Sequence, residues 1–224
     1  MPMAAINPVW ISLLFNLLPV VSAAAFGWSV LPLMLLYWFE NVVLGVINGI
    51  KMLIEGLSSH NLVSGGSLLF ILPFYTFHYG MFVAVHGIFL FILFANDGAI
   101  GDNFAIAELP HRVFAVLAAT PFGWLNLLML VTFHVGYFFV DWIGNKRWRG
   151  VQPAVQMFAP YGRVAVIHVT IIFGAFLVLV LHQPLLAVLL LALLKTALEV
   201  GWVKIMAVRE ARLAREHHPA AAQT

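Results

Sequence analysis

The chain contains no cysteine. Disulfides, thiolate zinc sites and cysteine nucleophiles are therefore excluded. Charge is almost as scarce: Asp, Glu, Lys and Arg make up 9% of the 224 residues, against about 25% in an ordinary soluble domain. So few polar side chains cannot coat a soluble globule, and a formal net charge of +2 is too small to attract nucleic acid. A disordered chain and a coiled coil are excluded by the same figures. What fills the chain is apolar, at 63% of residues and a mean hydropathy of +1.00. An integral membrane protein is expected, with the lipid bilayer as its surroundings.

A bilayer core of about 30 Å needs roughly 20 apolar residues per helix. Six segments meet this, at about residues 8–27, 30–54, 67–95, 112–141, 162–182 and 184–208. The expected fold is therefore all-α and polytopic, a six-transmembrane-helix bundle over about residues 1–208 with a polar tail over 209–224. Gly27-Trp28-Ser29, the turn-rich stretch Ser58 to Ser67, the acidic loop Asn96 to Pro110, the basic loop Asn145 to Gly162 and Gln183-Pro184 separate the spans. Pro73 and Pro121 fall inside spans and are expected to kink them. Val21 to Ala25 resembles the small-residue cleavage site of a signal peptide, but no Lys or Arg precedes it, so a retained span is expected.

Lys and Arg are unevenly shared between the loops. Lys51 follows the second span, Lys146, Arg147, Arg149 and Arg163 lie between the fourth and fifth, and Lys204, Arg209, Arg212 and Arg215 follow the sixth. The opposite loops hold Arg112 beside three acids. This bias places both termini in the cytoplasm of a multi-pass protein of the cell inner (plasma) membrane. Trp10, Trp28, Trp124, Trp142 and Trp148 sit near span ends, as interfacial anchors do. Gly45 and Gly49 form a small-xxx-small surface, suited to close helix packing and to an oligomer contact. No sequence repeat of the kind that marks inverted-repeat transporters is evident.

An ionisable residue at a helix centre costs about 2.5–3.5 kcal/mol on insertion scales, so such residues usually face the bundle interior. This chain carries many: Glu40, Asn41 and Asn48 in the second span; Tyr75, His78, Tyr79 and His86 in the third; Asn126, His134 and Asp141 in the fourth; Arg163 and His168 in the fifth; Lys195 and Glu199 in the sixth. At 1.5 Å per residue, His78, His134, His168 and Glu199 fall roughly 9–17 Å from the cytoplasmic ends of their spans. Glu40 and His86 fall nearer the middle or outer half. Tyr75, His78, Phe82 and His86 are expected to form one inward stripe, and His134 and Asp141, seven apart, to share a face.

Imidazoles and carboxylates are ligands of zinc or iron, so His78, His86, His134, His168 and Glu199 are the candidate metal set. A lone His in a span is, however, more often a helix-to-helix hydrogen-bonding group. Lys195 and Glu199, at i and i+4, can neutralise each other; Asp141 and Arg163 suit a structural pair; Glu40 is protonated, paired with Lys195, or functional.

Tyr37-Trp38-Phe39-Glu40-Asn41 with Gly45, Phe77-His78-Tyr79-Gly80-Met81-Phe82 through His86-Gly87, Tyr161-Gly162-Arg163-Val164 through His168, and Leu194-Lys195 through Glu199 together resemble an uncharacterised family of bacterial multi-span membrane proteins, a domain of unknown function. The resemblance runs from residue 37 to about 200 and supplies no activity. It implies that Glu40, His78, His86, His134, Arg163, His168, Lys195 and Glu199 belong to the family pattern, with an Asp usual at the place of Glu199.

Four functions fit these residues. The first is a metal-dependent enzyme acting on a lipophilic small molecule, in which a zinc or iron ion activates water or oxygen, Glu40 or Glu199 serves as base, and Lys195 or Arg163 holds an anionic group. The second is a carrier of protons or metal ions through a relay of Glu40, the His set and Lys195–Glu199. The third is a b-type haem protein with two axial His. The fourth is a structural subunit. No Ser in a GxS setting supports a rhomboid-type protease.

Overall fold

The computed structural model describes residues 8–58, 62–94, 105–146, 156–158, 160–162, 165, 168, 169, 172, 173, 180, 190, 192–197 and 201. Regular structure among the described residues is entirely helical: α1 (Pro8–Phe26), α2 (Val30–Ser58), α3 (Leu62–Phe94), a 3-10 turn (Ile106–Glu108), α4 (Leu109–Ala119), α5 (Gly123–Tyr137) and a π-helical continuation (Phe138–Ile143). Three stretches of this part are long and apolar enough to cross a membrane: Val30–Ser58, Gly66–Phe94 and Gly123–Ile143. The fifth and sixth expected spans fall largely outside the described residues.

α1 stops at Gly27, whose φ of +62° is available to glycine without strain. The Trp28 amide then donates to the Ala23 carbonyl at 2.9 Å, closing the helix end in the manner of a Schellman cap. α2 begins three residues later and becomes the centre of the fold, packed against α1, α3, α4 and α5. Its first nine residues, Val30 to Trp38, are all buried.

α2 and α3 run antiparallel, and their closeness is set by glycine and aromatic side chains. The Tyr79 ring lies against Gly45, where any Cβ would collide with it. Leu68 covers Gly56 and Trp38 covers Gly87 in the same way. Trp38 Nε1 donates to the Val83 carbonyl at 2.8 Å, Tyr79 Oη to the Asn41 carbonyl at 2.9 Å, and Tyr75 Oη to the Gly45 carbonyl at 3.1 Å. Gly45 thus serves packing within the chain. The opposite face of α3 is apolar and open, with Leu69 83% exposed, Phe70 74% and Phe77 73%, as suits contact with lipid.

The single helix expected over 112–141 is two helices with a π-helical tail. Thr120 takes an extended conformation (φ −90°, ψ 128°), as the residue before a proline prefers, and ends α4. Phe122 adopts a left-handed conformation (φ 58°) and stacks at 4.7 Å on Phe26. Gly123 comes next because a Cβ there would meet the Leu117 carbonyl. Trp28 Nε1 donates to the Pro121 carbonyl at 3.1 Å and Asn126 Nδ2 to Ser22 Oγ at 3.0 Å, so the end of α1 clamps the break. Pro121 therefore breaks the helix, whereas α3 continues through Pro73. Beyond Tyr137 the i→i+5 pattern rotates the remaining turn of the helix, so His134 and Asp141 lose the shared face a uniform helix would provide. Phe138 and Trp142 pack on Ile47 of α2, and Lys51 lies 5.6 Å from the Trp142 ring centre.

Two expected anchors do other work. Trp28 (5% exposed) and Trp142 (6%) are buried in helix contacts, while Trp124 is open and stacks on Phe114 at 5.3 Å.

Candidate functional site

Tyr37 and Glu40, three residues apart, share the inward face of α2. Glu40 is buried, and its two carboxylate oxygens meet two other elements. Lys195 Nζ donates to Oε2 at 2.8 Å, and His134 Nε2 of α5 lies 3.2 Å from Oε1. An ionised carboxylate only accepts, so Nε2 of His134 carries the proton and donates. The Lys195 ammonium, 2% exposed, also lies 4.3 Å from the centre of the Tyr37 ring, whose face is attractive to a cation. A buried cation and anion that compensate each other, with hydrogen bonds filling their remaining valences, are tolerable in a low-dielectric interior. The pairing of Glu40 with Lys195, one of the three alternatives, is observed. Glu199, the other partner expected for Lys195, lies outside the described residues.

A second group joins α3 to residue 168. His86 is buried, with Nδ1 2.8 Å from the Phe82 carbonyl and Nε2 2.8 Å from Nδ1 of His168. A carbonyl only accepts, so Nδ1 of His86 carries the proton, and in the neutral ring Nε2 accepts from His168. The rings meet edge to face, 5.0 Å apart.

A third group is a polar seam along α2 and α3. Gln156 exchanges two hydrogen bonds with Asn48, at 2.6 and 3.1 Å, and the Asn48 amide also meets the Tyr75 hydroxyl. Met157 packs on Met52, Leu68, Tyr75 and Tyr79, and the Tyr161 ring lies 6.4 Å from that of Tyr79.

The expected metal set is divided between these groups. His134 goes to Glu40, His86 pairs with His168, and His78 stands apart, stacked on Phe74 at 5.4 Å with Tyr161 at 6.1 Å. Among the described residues no three His, Asp or Glu side chains gather as ligands of one ion. Glu199 and Arg163, and with Arg163 its expected pairing with Asp141, lie outside them; Asp141 accepts from Asn145 Nδ2 at 3.2 Å. Of the candidate catalytic residues, Glu40 and Lys195 are brought together.

The depths read along single helices are corrected by the stagger between helices. The segment expected as a loop up to Gly162 is already inside the bundle at Gln156. His168 reaches His86 rather than His78. The inward stripe of α3 is likewise Tyr75, Tyr79, His86 and Leu90, with His78 half-buried at its side. Sequence reasoning missed Gln156, hidden in a polar loop, and Glu55, which is 2% exposed. The seven-residue spacing of Asn41, Asn48 and Glu55 was the available signal for the latter.

No curated protein and no solved structure matches the chain. A family model does, over residues 2–222, and with nearly the whole chain matched the protein belongs to that family, a family of unknown function (DUF6498).

Proposed function

We propose that the protein carries protons through a six-span bundle in the cell inner membrane, with both termini in the cytoplasm. The observation that supports this reading is the Glu40 carboxylate held between the Lys195 ammonium and the His134 imidazole inside an apolar bundle. Charged groups at such depth are expensive and usually mark an ion or proton pathway. Glu40 accepts a proton, His134 supplies or takes one through its ring, and Lys195 keeps the carboxylate charged between transfers. The six apolar segments and the Lys and Arg bias of three loops support the topology. The experiment is proton flux into liposomes containing the purified protein, with a pH-sensitive dye inside and a potassium diffusion potential. Wild-type protein carries protons, and Glu40→Gln slows the flux at least about tenfold. Equal flux in both would sink the reading.

A metal-dependent enzyme acting on a lipophilic molecule is the second reading. The His86–His168 contact favours it, because two imidazole nitrogens face each other across 2.8 Å. Near-stoichiometric zinc or iron in protein purified without chelator, lost in a folded His86→Ala/His168→Ala variant, would favour it over the carrier. A Soret band would select haem.

A further inference from the structure

Glu55 is a buried acid that the carrier reading leaves unused. It lies in the last turn of α2, and among the described residues neither of its carboxylate oxygens has a hydrogen-bond partner. Burying such a group is unfavourable, and an amide or apolar side chain of similar size would suit the packing better. Apart from the attraction of Lys51 one turn earlier, stability offers no reason for an acid here, but its position does. Asn41, Asn48 and Glu55 recur at seven-residue intervals on one face of α2, and all three are buried. Asn48 is joined to Gln156 and Tyr75, the Tyr75 hydroxyl to the Gly45 carbonyl, and the Tyr79 hydroxyl to the Asn41 carbonyl, next to Glu40. Polar groups thus line α2 over about 22 Å from Glu55 to Glu40. Met52, fully buried, lies between Glu55 and Asn48 on this face, packed with Leu68, Tyr75 and Tyr79. Lys51, one turn before Glu55, is the charged group acting on it.

We propose that Glu55 is the proton-loading carboxyl of this column. It takes a proton from water at the end of α2 that carries Lys51 and gives it up to water on the side of Glu40. Only O–H bonds form and break, and nothing is oxidised or reduced. The inference rests on the carrier reading.

The test is the same flux measurement on the full chain, beside thermal unfolding of each variant in detergent. Glu55→Gln removes the exchangeable proton but breaks no hydrogen bond among the described residues. Its melting temperature is expected to equal or exceed that of the wild type while its flux falls at least about tenfold. Glu55→Asp keeps a carboxyl and holds flux within about threefold. Wild-type flux in Glu55→Gln overturns this inference and leaves the carrier reading standing. So does a Glu55→Gln variant that loses flux and melting temperature together, which marks the acid as structural, or a Glu55→Asp variant as slow as Glu55→Gln. Wild-type protein that carries no protons overturns the carrier reading and this inference with it.

Discussion

Glu40 and Lys195 show how a buried charge is held at the scale of single residues. Each is compensated by the other, so removing one partner exposes the full desolvation penalty of the one that remains. Lys195→Met leaves a buried carboxylate facing an imidazole, and this is expected to destabilise the protein by about 3–5 kcal/mol. The double variant Glu40→Gln/Lys195→Met removes both charges at once and is expected to be milder than Lys195→Met alone. Denaturant or thermal unfolding in detergent checks the order, and a double variant less stable than the single one would contradict it. The pairing was legible in the sequence as one alternative among three, because no Lys, Arg or His lies within four residues of Glu40. It could not be selected there: the two residues are 155 apart, and no local spacing brings them together.

The α2–α3 pair shows the next scale, where backbone approach depends on side-chain volume. Gly45 and Gly49 look equivalent in the sequence, one helical turn apart. In the fold they differ. A Cβ at Gly45 runs into the Tyr79 ring, which is fixed by its bond to Asn41, whereas a Cβ at Gly49 makes only ordinary contacts, at 3.9 Å to Tyr75 and 4.0 Å to Leu72. Gly45→Ala is therefore expected to destabilise by about 1–3 kcal/mol through overpacking. Gly49→Ala is expected to be neutral or to stabilise by up to roughly 1 kcal/mol, because alanine is the better helix former. Comparing the two melting temperatures decides this; equal effects would mean that Tyr79 yields easily. The break at Thr120-Pro121-Phe122 belongs to the same scale. Proline was a visible signal, but whether it kinks or breaks a helix depends on what receives the freed backbone groups. Here the Trp28 indole from the connection between α1 and α2 donates to the Pro121 carbonyl, an arrangement nothing near Pro121 in sequence announces.

For the whole molecule, the number of membrane crossings and their direction are the properties to measure. Three helices of the described part are long and apolar enough to cross. The six-span proposal makes a direct prediction for reporter fusions. A fluorescent protein after Thr224 is expected to fluoresce in the cytoplasm, and alkaline phosphatase inserted within residues 96–104 is expected to be active outside it. An active phosphatase at both places, or at neither, would require another topology. The three polar groups also belong to this scale, because each joins helices distant in sequence: Glu40 with His134 and Lys195, His86 with His168, Asn48 with Gln156.

Composition and hydrophobic runs were enough for the class of structure and for most of the polar residues inside it, Gln156 and Glu55 excepted. Transfer of a side chain into lipid is a nearly local property, summed residue by residue, so composition and hydrophobic runs suffice to read it. Only the tertiary structure decided which polar residues meet. A shift of one helix past its neighbour by a single turn is about 5.4 Å, enough to exchange one partner for another, and such shifts are set by packing. The Gly45–Tyr79 contact sets the approach of α2 and α3, and the Gln156–Asn48 bonds draw the chain before His168 into the bundle. That is why His86, and not His78, meets His168, and why the carboxylate of Glu40 lies between Lys195 and His134.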